Sequence, residues 1–205
     1  MVEDASSAGV EHFIFVSSAS VVYPYTTPYS ESKRQCERIV KEQKAMHYTI
    51  VRPTLSYNES GGQEFFLFRD YLMKYPIVLF IGRGKALKSP VHVDDLFKGF
   101  LAIPGNEKAF GKIYAFSGGE EISIWDFAKL TLKHMKTQKL FIPVPVPVCK
   151  ILAEIMKIFM KRPSLTWNVI AGITQDANLD HVSASEDLGY HPIPVCEGFQ
   201  KCFPL

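Results

Sequence analysis

The chain has 205 residues, 47% hydrophobic and 21% charged, the profile of an ordinary globular protein of one or two domains. A net charge of +2 points to neither nucleic acid nor an acidic partner. No apolar run reaches the length of a membrane span, and no basic stretch followed by an apolar one marks a secretion signal, so a cytoplasmic location is expected. Cys36, Cys149, Cys196 and Cys202 lack metal-site spacing, and the histidines are dispersed. Free thiols and no metal site are therefore expected.

Residues 2–8 read as the last two turns of a helix, closed by Gly9. His12–Val16 reads as a buried strand, followed by the serines Ser17, Ser18 and Ser20 and a proline-broken loop. Thr27-Pro28 opens a helix in the preferred way, with a threonine cap and proline in the first turn. That helix is expected to run to about Met46, with Tyr29, Lys33, Cys36 and Val40 on one stripe flanked by Ile39. A lysine on an inward stripe breaks the amphipathic rule, and such breaks concentrate at functional sites; the bland alternative is a lysine whose head snorkels to water. Tyr29 and Lys33, one turn apart, also make chemical sense together. An ammonium beside a phenol favours the phenolate, which prepares the tyrosine for proton transfer at a carbonyl or carbinol carbon. A serine hydroxyl at the preceding strand end can hold the same oxygen.

His47–Leu55 is a strand that stops at Arg52-Pro53, which makes a strand–helix–strand unit of parallel type. Its carboxyl ends, Ser18 and residues 53–56, are expected to line a ligand crevice. Then come a Gly-Gly loop at 58–63, an aromatic helix over 64–74 stopped by Pro76, and a short strand over 77–81. Gly82-Arg83-Gly84-Lys85 is a turn with no helix after it, so it is not a phosphate-cradling loop. Residues 89–93 are extended, and Asp94 is expected to cap a helix to about Ala102. A strand over 112–117 follows, then a helix opened by Ser123 with Asp126 in capping-box spacing. Residues 139–147 read as a proline-punctuated edge strand or connection. Residues 148–160 read as a strongly apolar helix of the core or of a cleft cover. Shorter helices are expected at 164–173, 180–188 (closed by Gly189) and 195–203.

Four segments, in order, resemble the extended and atypical short-chain dehydrogenase/reductases, the NAD-dependent epimerase/dehydratase kind. They are AGVEHFIFVSSASVVY with PYSESKRQCE, then IVRPTLSYNE, then GRGKALKSPVHVDDL, then NLDHVSASEDLGYHPIPVCEGFQ. The resemblance implies a partial Rossmann-like doubly wound α/β fold. Residues 1–60 would be the C-terminal part of the dinucleotide-binding domain. Residues 61–205 would be mainly a substrate-binding part, with segments around 84–117 returning to the sheet. Ser18, Tyr29 and Lys33 would be catalytic. Ser17, Tyr29, Lys33, Pro53, Thr54 and Leu55 would meet the cofactor, NAD or NADP. Ser18, Ser20 and Lys88 would meet the substrate, a nucleotide sugar or related small molecule. Lys88 stands where many such enzymes carry an arginine, whose bidentate fork lysine cannot reproduce. Asp95 is expected to serve as a helix cap.

The resemblance begins in the middle of the pattern. The glycine-rich first βαβ unit has no counterpart here, so on the order of a hundred residues are expected to precede Met1, with an exposed edge strand left in this chain. The competing expectations are a non-catalytic relative that binds a partner through that sheet, and a module for an apolar ligand built on the 65–71 and 148–159 helices. A homodimer and a separately encoded N-terminal half are the associations considered.

Overall fold

The structure, a computed structural model, describes residues 1–60, 62–161, 163 and 165–204. Helix α1 (Val2–Ser7) gives way at Gly9 to β1 (His12–Val16). A 3-10 turn at Ala19–Val22 precedes α2 (Pro28–Glu42), β2 (His47–Pro53) and β3 (Ser56–Tyr57). Next come α3 (Gln63–Lys74), β4 (Ile77–Ile81), β5 (Leu87–Lys88), β6 (Val91–His92) and α4 (Val93–Leu101). The rest is a second 3-10 turn at Glu107–Ala109, then β7 (Lys112–Phe116), β8 (Ile122–Ser123), α5 (Ile124–His134), β9 (Leu140–Val144), α6 (Val146–Phe159), α7 (Trp167–Thr174), α8 (Val182–Leu188) and α9 (Val195–Cys202).

The main sheet is parallel, in the order β1-β2-β7, with Phe15 opposite Ile50 and Ile50 opposite Ile113. Parallel neighbours need crossovers, and α2 supplies the one between β1 and β2. Three two-stranded sheets accompany it: β3 with β6 and β4 with β9, both parallel, and β5 with β8, antiparallel. Val51, Val91, Ile103, Tyr114, Phe116 and Tyr190 form the core against the main sheet. Tyr57, Phe65, Leu72, Phe80, Phe127 and Phe199 form a second core between α3, α5 and α9. Each such side chain contributes roughly 1.5–3 kcal/mol relative to leaving it in water. The second core requires a glycine at 198, where a Cβ would stand 2.0 Å from the Tyr57 hydroxyl.

Several expectations need correction. Strand β1 is half-buried, and Val16 is exposed, because β1 is an edge strand of the sheet formed by the described residues. Helix α2 ends at Glu42, four residues early. The Gln43 side chain accepts from the Ala45 and Met46 N–H groups and donates to the Met46 carbonyl, which turns the chain. The buried stripe of α2 is Ser30, Glu37 and Val40, with Tyr29 and Ile39 both exposed. The cap of α4 is His92, whose Nδ1 accepts from the Asp94 N–H at 3.2 Å. Asp95 instead accepts from Lys98 and from the Ile193 N–H at 2.9 Å, and so ties α4 to the C-terminal segment. Helix α6 is no core helix: only Cys149 and Ala153 are buried along it. Gly61 of the Gly-Gly loop and Ser164 lie outside the described residues.

Candidate functional site at the strand ends

The carboxyl ends of β1, β2 and β7 lie side by side, and Ser17, Pro53-Thr54 and Ser117 leave them. Backbone bonds hold these exits in register: Ser17 N–H to the Val51 carbonyl at 2.7 Å, and Thr54 N–H to the Phe116 carbonyl at 3.1 Å. The Ser18 hydroxyl caps the following turn at the Ser20 N–H and lies 2.9 Å from the Ser20 hydroxyl. Both serines are partly open to solvent.

Helix α2 points its first turn at this edge. Thr27 accepts from the Ser30 N–H at 3.1 Å, and Ser30 Oγ accepts from the Thr27 N–H at 2.9 Å, a reciprocal cap that fixes where the helix begins. Tyr29 sits in that turn, 57% exposed, and its hydroxyl makes no hydrogen bond among the described residues. Lys33 lies one turn on. Its ammonium donates to the Val16 carbonyl at 2.9 Å and stands 6.0 Å from the Tyr29 ring centre. Phe15 supplies a second ring at 5.2 Å. One ammonium thus joins the end of β1 to the exposed phenol, with the Ser18–Ser20 pair on the adjoining loop.

Other expected site residues are engaged internally. Ser17, buried, donates to Glu37 at 2.6 Å. Thr54, also buried, donates to the Ser89 carbonyl at 2.5 Å. Leu55 packs on the aromatic core, and Pro53 is half-buried at the end of β2. Lys88 is buried, and its ammonium donates to the Gly172 and Gln175 carbonyls at 2.8 and 2.7 Å. These are carbonyls at the C-terminal end of α7, where a cation is favoured. Burial lowers the Lys88 pKa to about 8.

The residue that sequence reasoning missed is Glu37. It is 2% exposed and accepts from Ser17 at 2.6 Å and from Arg52 at 2.8 and 2.6 Å, the fork of a bidentate pair. Burial pushes its carboxyl up, but the bonds from Arg52 and Ser17 outweigh that and hold it below the usual glutamate range. The signal was present: Glu37 stands one turn beyond Lys33, and Arg52 interrupts an apolar strand.

The residues present fit the nicotinamide and ribose end of a dinucleotide: an exposed phenol, an ammonium and two open hydroxyls at a sheet's carboxyl edge. Neither the Gly82–Gly84 turn nor the turn at Gly118 makes a pyrophosphate cradle. Gly82 and Gly84 lead into a strand, and a Cβ at Gly118 would stand 1.9 Å from the Pro90 carbonyl oxygen, so backbone already fills that space.

No protein-family model matches the chain. Among curated proteins it is 27% identical over 197 residues to the mouse (Mus musculus) protein named NADH dehydrogenase [ubiquinone] 1 alpha subcomplex subunit 9, mitochondrial, with 93% of this chain and 50% of that one covered. The chain thus spans about half the length of the curated relatives it matches. Among solved structures, an epimerase from Methanothermobacter thermautotrophicus superposes with a TM-score of 0.75 at 18% identity, over 98% of this chain and 61% of that one. UDP-glucuronic acid 4-epimerase from Bacillus cereus, solved with UDP-glucuronic acid and NAD, gives 0.72 at 17% identity, over 98% and 63%. The parallel β1-β2-β7 sheet, its α2 crossover and the later helices therefore share the fold of these epimerases.

Proposed function

We propose that this chain carries the proton-transfer half of an NAD(P)-dependent epimerase, dehydratase or reductase acting on a hydroxyl or carbonyl carbon, with a nucleotide sugar as the substrate class. The observation that carries the reading is the Lys33 ammonium, held on the Val16 carbonyl one helical turn from an exposed, unengaged Tyr29 phenol. In this reading Tyr29 moves a proton to or from the substrate oxygen. Lys33 holds ribose hydroxyls, and Ser18, hydrogen-bonded to Ser20, holds the reacting oxygen. A bound nicotinamide would supply or accept the hydride. Glu37 and Arg52 keep Ser17, and so the Ser18 loop, in place. Residues 1–60 then belong to the dinucleotide domain and the later ones mainly to the substrate part, with β7 returning to the sheet.

The test is turnover of a panel of UDP- and dTDP-sugars by the purified protein with NAD or NADP, read by product chromatography, for wild type and Tyr29→Phe. The expected result is activity lost in the variant with an unchanged thermal melt. Equal turnover by both would overturn the assignment.

A second reading is a partner-binding subunit. It is favoured by relatives that are named as subunits of NADH dehydrogenase. It predicts no saturable binding of NAD(H) or NADP(H) in calorimetry, and no turnover of any panel member.

A further inference from the structure

A cleft of about 750 Å³ lies between α5 and the start of β9, and four lysines line it: Lys129, Lys133, Lys136 and Lys139. Its wall holds no carboxylate. Trp125, Lys129 and Lys133, four apart, share one face of α5, and Lys136 follows in the turn that closes the helix. Neighbours at this spacing stand about 5–6 Å apart at Cβ, so their flexible ammoniums can reach one anion together. Lys139 is fixed differently: its ammonium donates to the Met73 carbonyl at 3.2 Å, in the last turn of α3.

The charge of this cleft is not neutralised from within. The lysines ion-paired among the described residues are Lys41, Lys98, Lys112, Lys157 and Lys201, and none of the four belongs to that set. Nor are the lysines used to cap α5. The carbonyls of Leu130, Thr131, Leu132 and Lys133 already accept from the His134 ring N–H and from the backbone N–H groups of Met135, Thr137 and Lys136. A row of like charges at helical spacing opposes the fold, and here nothing in the wall offsets it.

The backbone adds a separate observation. Lys136 is the one residue other than glycine with a positive φ among the described residues, at +51°. Helix α8 ends in the same left-handed conformation at Gly189, where no side chain resists it. A lysine in that position is strained, and such strain gathers at ligand clamps. Position 136 thus keeps an ammonium on the cleft where a glycine would fit the backbone better.

Part of the wall is aromatic. Phe141 and Trp125 meet edge to face, 4.9 Å apart, and both are only half-buried. The Lys129 ammonium stands 5.7 Å from the centre of the Trp125 ring. The volume falls in the range of small-molecule sites, roughly 300–1,000 Å³.

We propose that this cleft binds a nucleoside polyphosphate. Its phosphates lie along Lys129, Lys133, Lys136 and Lys139, and its base rests on the aromatic part of the wall. None of these residues belongs to the strand-end site, so this is a second nucleotide site.

The test is fluorescence titration of the purified Trp167→Phe protein, in which Trp125 is the remaining tryptophan. The probes are ATP, tripolyphosphate and oligothymidylate, and calorimetry on the wild-type chain repeats the ATP measurement. Saturable quenching by ATP is expected, weakened by salt, with tripolyphosphate binding less tightly because it has no base. Lys133→Gln with Lys136→Gln should lower ATP affinity about tenfold, at roughly threefold for each surface ion pair removed. Both side chains are exposed, and an unchanged circular dichroism melt checks that the variant is folded. Lys136→Gly removes the strain with the charge, so it should raise the melting temperature by about 2–4 °C while lowering ATP affinity about threefold. Four results would overturn the proposal: no saturable ATP binding, undiminished binding by the double variant, tripolyphosphate binding as tightly as ATP, or oligothymidylate binding more tightly than ATP. The third would leave a charged patch with no base site, and the last would assign the cleft to a nucleic-acid strand.

Discussion

Arg52→Ala should be among the most damaging single substitutions on the sheet edge. The change removes both guanidinium bonds to Glu37, at 2.8 and 2.6 Å, and leaves a buried carboxylate with Ser17 at 2.6 Å and the Lys41 ammonium at 3.7 Å. Breaking one side of a buried pair costs about 3–5 kcal/mol, because the remaining charge stays desolvated. For a chain of this size each kcal/mol moves the midpoint by roughly 2–4 °C, so even the lower bound lowers the melt by about 6–12 °C. Glu37→Leu with Arg52→Met tests the cause. Replacing both partners with apolar groups should recover most of the loss, to within about 1–2 kcal/mol of wild type, the remainder being the orphaned Ser17 hydroxyl. The pH dependence has a definite sign. The folded glutamate titrates below its usual value of 4.5, so its contribution is present above that value and is lost as pH falls through the lower, folded one. The gap between wild type and Arg52→Ala should therefore be widest near neutrality and close in acid. Urea unfolding across pH measures it. A loss below about 1 kcal/mol at neutral pH, or a double variant as unstable as the single, would refute the reasoning.

Lys88, lowered to about 8 by burial, leaves the unfolded state holding more protons between that pH and its ordinary 10.5. Stability should therefore rise over this window, and the rise should vanish in Lys88→Met when denaturation is followed from pH 7 to 11. Gly198→Ala would set a methyl 2.0 Å from the buried Tyr57 hydroxyl and should cost about 1–3 kcal/mol in urea midpoints, a loss that Tyr57→Phe partly relieves. Tyr190→Phe removes the buried bond to the Ser117 carbonyl at 3.0 Å and should cost about 1 kcal/mol with the Phe116 stack intact, which near-ultraviolet dichroism reports. Tyr29→Phe, by contrast, should leave the melt unchanged, because the phenol is exposed and unengaged.

What the sequence determined by itself was local. The Thr27-Pro28 cap, the strands at 12–16 and 47–53, the Ser123 cap and the Gly189 stop, at φ +65°, rest on backbone preferences and bonds that span a few residues. The spacing of Tyr29 and Lys33 was legible for the same reason, since one helical turn places them together wherever the helix lies. Tertiary structure decided what each polar group meets. Lys88 finds carbonyls 84 and 87 residues away, and Asp95 finds a backbone N–H 98 residues away. Glu37 finds Arg52 only because β2 returns parallel to β1 and brings its side chain under α2. Hydropathy marked α6 as apolar, but whether an apolar helix is covered depends on its neighbours. Here β4 and β9 meet only its Cys149–Ala153 side and leave its other apolar residues exposed. Local conformation is written in adjacent residues; burial, charge pairing and cover belong to segments that meet only when distant chain is brought together.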